Sequence, residues 1–93
     1  MSTYTIQLTH TAADDLDHIP YKLRQHVISD INYLRTTPFQ HAGNSKKLKG
    51  FKYPLYRLRS GNFRILYRID DCLITIMRII DRKDLEKIIK LMH

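Results

Sequence analysis

The stretch Leu55-Tyr56-Arg57-Leu58-Arg59-Ser60-Gly61-Asn62-Phe63-Arg64-Ile65-Leu66-Tyr67-Arg68-Ile69 decides the fold. Tyr56 and Leu58, then Phe63, Ile65, Tyr67 and Ile69, take alternate positions, the period of strands that turn one face to a core. Ser60-Gly61-Asn62 sits between the two halves and supplies a hairpin turn. Two registers fit. With Ser60-Gly61 as the loop, Arg57 stands opposite Arg64; with Gly61-Asn62 as the loop, Arg59 does. Either way two guanidinium groups meet on the face opposite Phe63 and Tyr67, although like charges facing across a ladder are destabilising. Two planar forks at that spacing can grip a phosphate from two sides.

The pattern extends in both directions. Asp70-Asp71 makes a second turn, and Cys72 to Ile80 is the most apolar segment, which reads as the central strand. A closing helix follows Asp81, with Leu85, Ile88, Ile89 and Met92 on one face. Upstream, residues 38–45 read as a loop holding His41, followed by the short basic segment Lys46-Lys47-Leu48-Lys49-Gly50. Leu23, Val27, Ile31 and Leu34 form one helix face after Pro20, and Thr36-Thr37-Pro38 ends that helix. Thr11 reads as an N-cap with Asp14 three residues on, starting a short helix that runs to about His18. Tyr4, Ile6 and Leu8 alternate as a first strand. The order β-α-α-β-β-β-α predicts one α+β domain over residues 1–93, with helices on one face of a mainly antiparallel, twisted sheet.

Composition narrows the class. The chain has 93 residues, 43% of them hydrophobic, and no apolar run approaches the length of a membrane span. The N-terminus lacks the basic and apolar regions of a signal peptide, and a single cysteine, Cys72, permits neither an intrachain disulfide nor a cysteine metal cluster. A cytosolic protein without membrane contact is expected. The net charge of +7 is one-sided: residues 1–44 carry −1 and residues 45–93 carry +8. Between residues 46 and 68 stand eight basic residues and no acid. Such a surface invites a polyanionic partner. The five histidines, His10, His18, His26, His41 and His93, show no metal-ligand spacing and read as surface residues.

Leu48-Lys49-Gly50, the run from Tyr56 to Tyr67, and Arg78-Ile79-Ile80-Asp81-Arg82-Lys83-Asp84 together resemble the RelE/ParE superfamily of toxins from type II toxin–antitoxin pairs. So does the order of elements, over essentially the whole chain. The resemblance implies one of two activities. RelE-type members are metal-independent endoribonucleases that cut mRNA in the ribosomal A site; ParE-type members poison DNA gyrase. It also implies a cognate RelB-like antitoxin, acidic or amphipathic, that covers the basic face, and it implies no cofactor.

The RelE-like branch sets the leading expectation, a ribosome-dependent mRNA interferase. In that chemistry the ribose 2′-OH attacks the adjacent phosphate and the 5′-oxygen leaves. Arg64 matches the arginine that contacts the scissile phosphate, Arg57 falls where a lysine often stands, and Arg82 matches a basic residue at the mouth of the last helix. Lys46, Lys47, Lys49, Lys52 and Arg59 are expected to bind RNA. The histidine and tyrosine of many nuclease members are replaced by Asp81 and Glu86. Asp81 fits a helix cap, and Glu86 lies four residues after Arg82, the spacing of a helical ion pair. An arginine is a poor base, so Glu86 stands as candidate proton acceptor, with ribosomal RNA as the alternative. Tyr56 and Tyr67 belong to the core, whereas Tyr53 is the candidate base-stacking platform. Arg64, on the polar face, is expected to contribute nothing to the core. Alternatives are a gyrase-binding toxin and a basic binding module without toxicity.

Overall fold

The computed structural model describes residues 3–36, 45–51 and 54–92. The elements run β1 (Thr5–Leu8), α1 (His10–Asp17), α2 (Tyr21–Tyr33), β2 (Ser45–Leu48), β3 (Leu55–Ser60), β4 (Phe63–Asp70), β5 (Leu73–Asp81), a 3-10 turn (Arg82–Asp84) and α3 (Leu85–Met92). They form the expected α+β architecture with one strand more than the sequence pattern gave. That strand is β2, in the basic segment, which pairs Leu48 with Leu55 and Lys46 with Arg57.

The sheet order is β1-β5-β4-β3-β2, antiparallel except for β1, which lies parallel to β5. The central strand is therefore β4 and not the more apolar β5. β5 is interior all the same, because β1 pairs along its outer edge, so both its backbone sides are hydrogen-bonded. Between Leu66 and Tyr67 the partner in β5 moves from Arg78 to Ile76, leaving Met77 as an extra residue. This bulge resets the alternation. It explains how Ile74, Ile76 and Ile79 all reach one core despite uneven spacing. Thr9 donates its hydroxyl to the bulged Met77 carbonyl at 3.0 Å.

That core lies between the sheet and the helices α1 and α2: Ala12, Ile19, Val27, Ile31, Leu34, Leu58, Ile65 and Tyr67 are all buried in it. Leu23 is not; it is 51% exposed, one turn before the helix meets the sheet. Helix α1 begins two residues earlier than read from Thr11, because Thr9 is the N-cap and accepts from the Ala12 amide at 3.0 Å. Asp15 then ties α1 to β5, accepting from Arg78 Nε at 2.7 Å, Arg78 Nη2 at 3.1 Å and the Ile79 amide at 3.0 Å. Tyr56 and Tyr67 stack at 5.5 Å between ring centroids, as core residues.

Helix α3 buries none of its residues. Leu85, Ile88, Ile89 and Met92 are half-buried on one side, and Leu91 is the exposed apolar residue of the helix, at 75%. Among the described residues no helix is long and apolar enough to cross a membrane.

Candidate active site

The turn between β3 and β4 resolves the register. Ser60 pairs with Phe63 and Arg59 with Arg64, so Gly61-Asn62 is the loop. Gly61 takes φ +57°, a left-handed conformation that glycine adopts without a Cβ penalty. Arg57 therefore stands opposite Leu66 and, on its other side, opposite Lys46. Pairing puts Lys46, Leu55, Arg57, Arg59, Arg64, Leu66 and Ile80 on one face, opposite the helices.

This face differs from the wet surface that alternation led one to expect. Leu55, Leu66 and Ile80 are buried on it, outside the helix-side cluster, and Arg64 is buried among them at 9% exposure. Arg64 donates from Nη1 to the carbonyl of Gly61 at 3.1 Å and to that of Phe63 at 3.0 Å. Burial lowers its pKa from the usual guanidinium value, and the charges of Arg57, Arg59 and Arg82 lower it further; only Asp81 acts the other way. The charge stays on at any physiological pH, so the shift means that the fold holds a repelled, partly desolvated cation. Arg57 adds to this. Its Nε is buried with no hydrogen-bond partner among the described residues. A buried donor with nothing to donate to is uncommon and costs free energy until an acceptor arrives.

Arg82 joins the cluster through the backbone: its amide donates to the Asn62 carbonyl at 2.8 Å. Asp81 caps the 3-10 turn, accepting from the Lys83 amide at 3.0 Å. Glu86 is exposed on α3, and among the described residues it forms no ion pair with Arg82 and is not among the charges that shift Arg64. Of the expected RNA contacts, Lys46 and Arg59 share the arginine face. Lys47 pairs with Tyr56 and so belongs to the opposite one. Lys49 is exposed just beyond β2. Lys52 and Tyr53, together with His41 and His93, lie outside the described residues. His10, His18 and His26 are exposed. Four arginines from two strands and the 3-10 turn thus converge on a concentration of positive charge with one orphan donor, an arrangement suited to a phosphodiester.

Comparison with known proteins places this arrangement in a class. A family model described as the ParE toxin of the type II toxin–antitoxin system, parDE, matches residues 6–90. The chain belongs to that family and is a type II toxin of the RelE/ParE superfamily. No curated protein sequence matches it. Among solved structures it is similar to the RelBE2 toxin–antitoxin complex of Mycobacterium tuberculosis, at 28% identity and TM-score 0.72, covering 86% of this chain and 99% of that one. It is similar also to the RelB–RelE complex of Methanococcus jannaschii, at 26% identity and TM-score 0.70, covering 87% and 95%. The YoeB dimer of Staphylococcus aureus shares the fold at 20% identity and TM-score 0.70, covering 85% and 97%.

Proposed function

We propose that this toxin is a RelE-like mRNA endoribonuclease acting in the cytoplasm on ribosome-bound transcripts. The observation that carries this reading is the Arg57–Arg59–Arg64–Arg82 cluster with its unpartnered Arg57 Nε. A bound phosphodiester supplies negative charge to this face and an acceptor for the Arg57 Nε. When the 2′-OH attacks, charge grows on the phosphorane oxygens, and preorganised guanidinium groups stabilise it more than the ground state. Arg64, fixed by two carbonyls, stabilises the transition state; Arg57 positions the phosphate; Arg82 lies on the leaving-group side. The arginines cannot accept the 2′-OH proton. Among the described residues Asp81 is engaged as a cap and Glu86 stands apart from the cluster, which favours a proton acceptor supplied by the ribosome. This accounts for ribosome dependence, along with the in-line orientation that ribosomal binding gives the mRNA. A cognate antitoxin of acidic or amphipathic character neutralises the basic face and covers the apolar stripe of α3.

The family-model match supports a second reading, a ParE-type gyrase poison. Induction of the protein followed by mapping of transcript 5′ ends separates the two. New ends inside open reading frames support the nuclease; intact transcripts with blocked DNA supercoiling support the gyrase poison.

A further inference from the structure

The turn that organises the arginine cluster is held from behind by a carboxylate. Ser60, the last residue of β3, is 1% exposed, and its hydroxyl donates to Asp30 Oδ2 at 2.5 Å. Asp30 sits on α2, thirty positions away in sequence, with its side chain only 20% exposed. His26, one helical turn earlier, approaches the same oxygen at 3.3 Å. An apolar residue at this depth would fill the helix–sheet junction without desolvating a charge, so the carboxylate is a costly choice for packing alone. Its benefit lies on the other side of Ser60. The same turn offers the Gly61 and Phe63 carbonyls to Arg64 Nη1 and the Asn62 carbonyl to the Arg82 amide. Asp30, Ser60 and the turn therefore form one mechanical chain whose far end is the pair of arginines assigned to the reacting phosphate.

We propose that Asp30, acting through the Ser60 hydroxyl, is a positioning residue for Arg64 and Arg82. The proposal rests on the nuclease reading for its consequence in catalysis, but not for its geometry. Asp30 touches no substrate. Its hydrogen bond fixes the turn, the turn fixes the Arg64 guanidinium and the backbone from which Arg82 projects, and transition-state stabilisation by preorganised donors is sensitive to displacements well under the size of a side chain. The hydrogen bond carries the effect, not the charge, so an asparagine, whose side-chain carbonyl accepts the same bond, substitutes for Asp30.

Two measurements on the full-length protein test it. In a reconstituted translation system, Ser60→Ala and Asp30→Ala are expected to lower kcat by about tenfold to a hundredfold with KM nearly unchanged, a loss in line with misplaced catalytic groups. Asp30→Asn is expected to keep the wild-type rate. Val27→Ala, which weakens α2 packing without touching the turn, controls for stability: if it lowers kcat as much as Ser60→Ala at equal loss of Tm, the role is structural and the proposal fails. The second measurement needs no RNA. Arginine-selective nitrogen-15 NMR is expected to show slow rotation of the Arg64 guanidinium in the wild type and Asp30→Asn, and averaged rotation in Ser60→Ala and Asp30→Ala. An Arg64 signal equally ordered in all four proteins overturns the proposal. If the signal loosens as expected but the wild type cuts no transcript, the nuclease reading falls while the positioning role stands.

Discussion

Both faces of this sheet bury side chains, yet they are built on opposite principles. Under α1 and α2, Leu58, Ile65, Tyr67, Ile74 and Ile76 pack against Val27, Ile31 and Leu34, and the face is closed by apolar contact. On the other side Leu55, Leu66 and Ile80 are buried around Arg64, beside the orphan donor of Arg57. The first face stabilises the protein by removing apolar surface from water. The second holds like charges together, against which Asp81 acts in part and which an incoming anion would relieve further. Burial alone therefore does not distinguish the structural side of the molecule from the proposed functional one. The satisfaction of polar and charged groups does.

That contrast can be broken at four points, in order of falling effect. Ile65→Ala opens a cavity on the closed face and is expected to cost about 2–5 kcal/mol, most of a small domain's margin, read as a large drop in Tm with all activity lost alongside. Arg64→Ala is expected to lower transcript cleavage by about two to three orders of magnitude, the scale of losing one preorganised donor. Its stability changes by only about 1 kcal/mol, because two hydrogen bonds to carbonyls are lost while repulsion and a desolvated charge are relieved. Arg64→Lys recovers part of the activity, since a point charge does not replace a planar fork. Arg57→Met removes the unpartnered donor and is expected to raise stability by about 1 kcal/mol in chemical denaturation while lowering cleavage. Glu86→Gln sits on neither face and is expected to change cleavage by no more than about twofold, as an ordinary surface substitution does.

Much of the closed face was legible in the sequence. The alternation Leu58, Phe63, Ile65, Tyr67 and Ile69 assigned the right side chains to the helix-covered core, because a period of two reports one dry face directly. The same rule misread the other side. Alternation assumes that the remaining positions meet water, and here Leu66 and Arg64 do not. The choice between Arg57 and Arg59 as the partner of Arg64 needed the loop register, which Ser60-Gly61-Asn62 leaves open until the backbone shows Gly61-Asn62 as the loop. Strand β2 is not legible in Lys46-Lys47-Leu48-Lys49, a basic run whose single apolar residue shows no alternation; it is a strand because β3 offers it an edge. The acids proved hardest to place. Asp15 finds Arg78 across 63 positions and Asp30 finds Ser60 across 30, and no local pattern announces contacts of that range. Glu86 had the right spacing for Arg82, but spacing permits an ion pair without making one.

On the nuclease reading, RNA phosphates sit on the arginine face and not merely on a positive protein. Affinity for a single-stranded RNA oligonucleotide, measured across a salt series, tests it with two charge-matched double variants: Arg57→Gln with Arg64→Gln, and Lys22→Gln with Lys90→Gln. Both lose the same charge, and Lys22 and Lys90 are exposed on α2 and α3. The arginine pair is expected to lose most of the affinity and to flatten the log–log salt dependence by about 1.4, the share of two phosphate contacts on a single strand, while the lysine pair leaves the slope nearly unchanged. Equal weakening and equal slopes in the two double variants would contradict it.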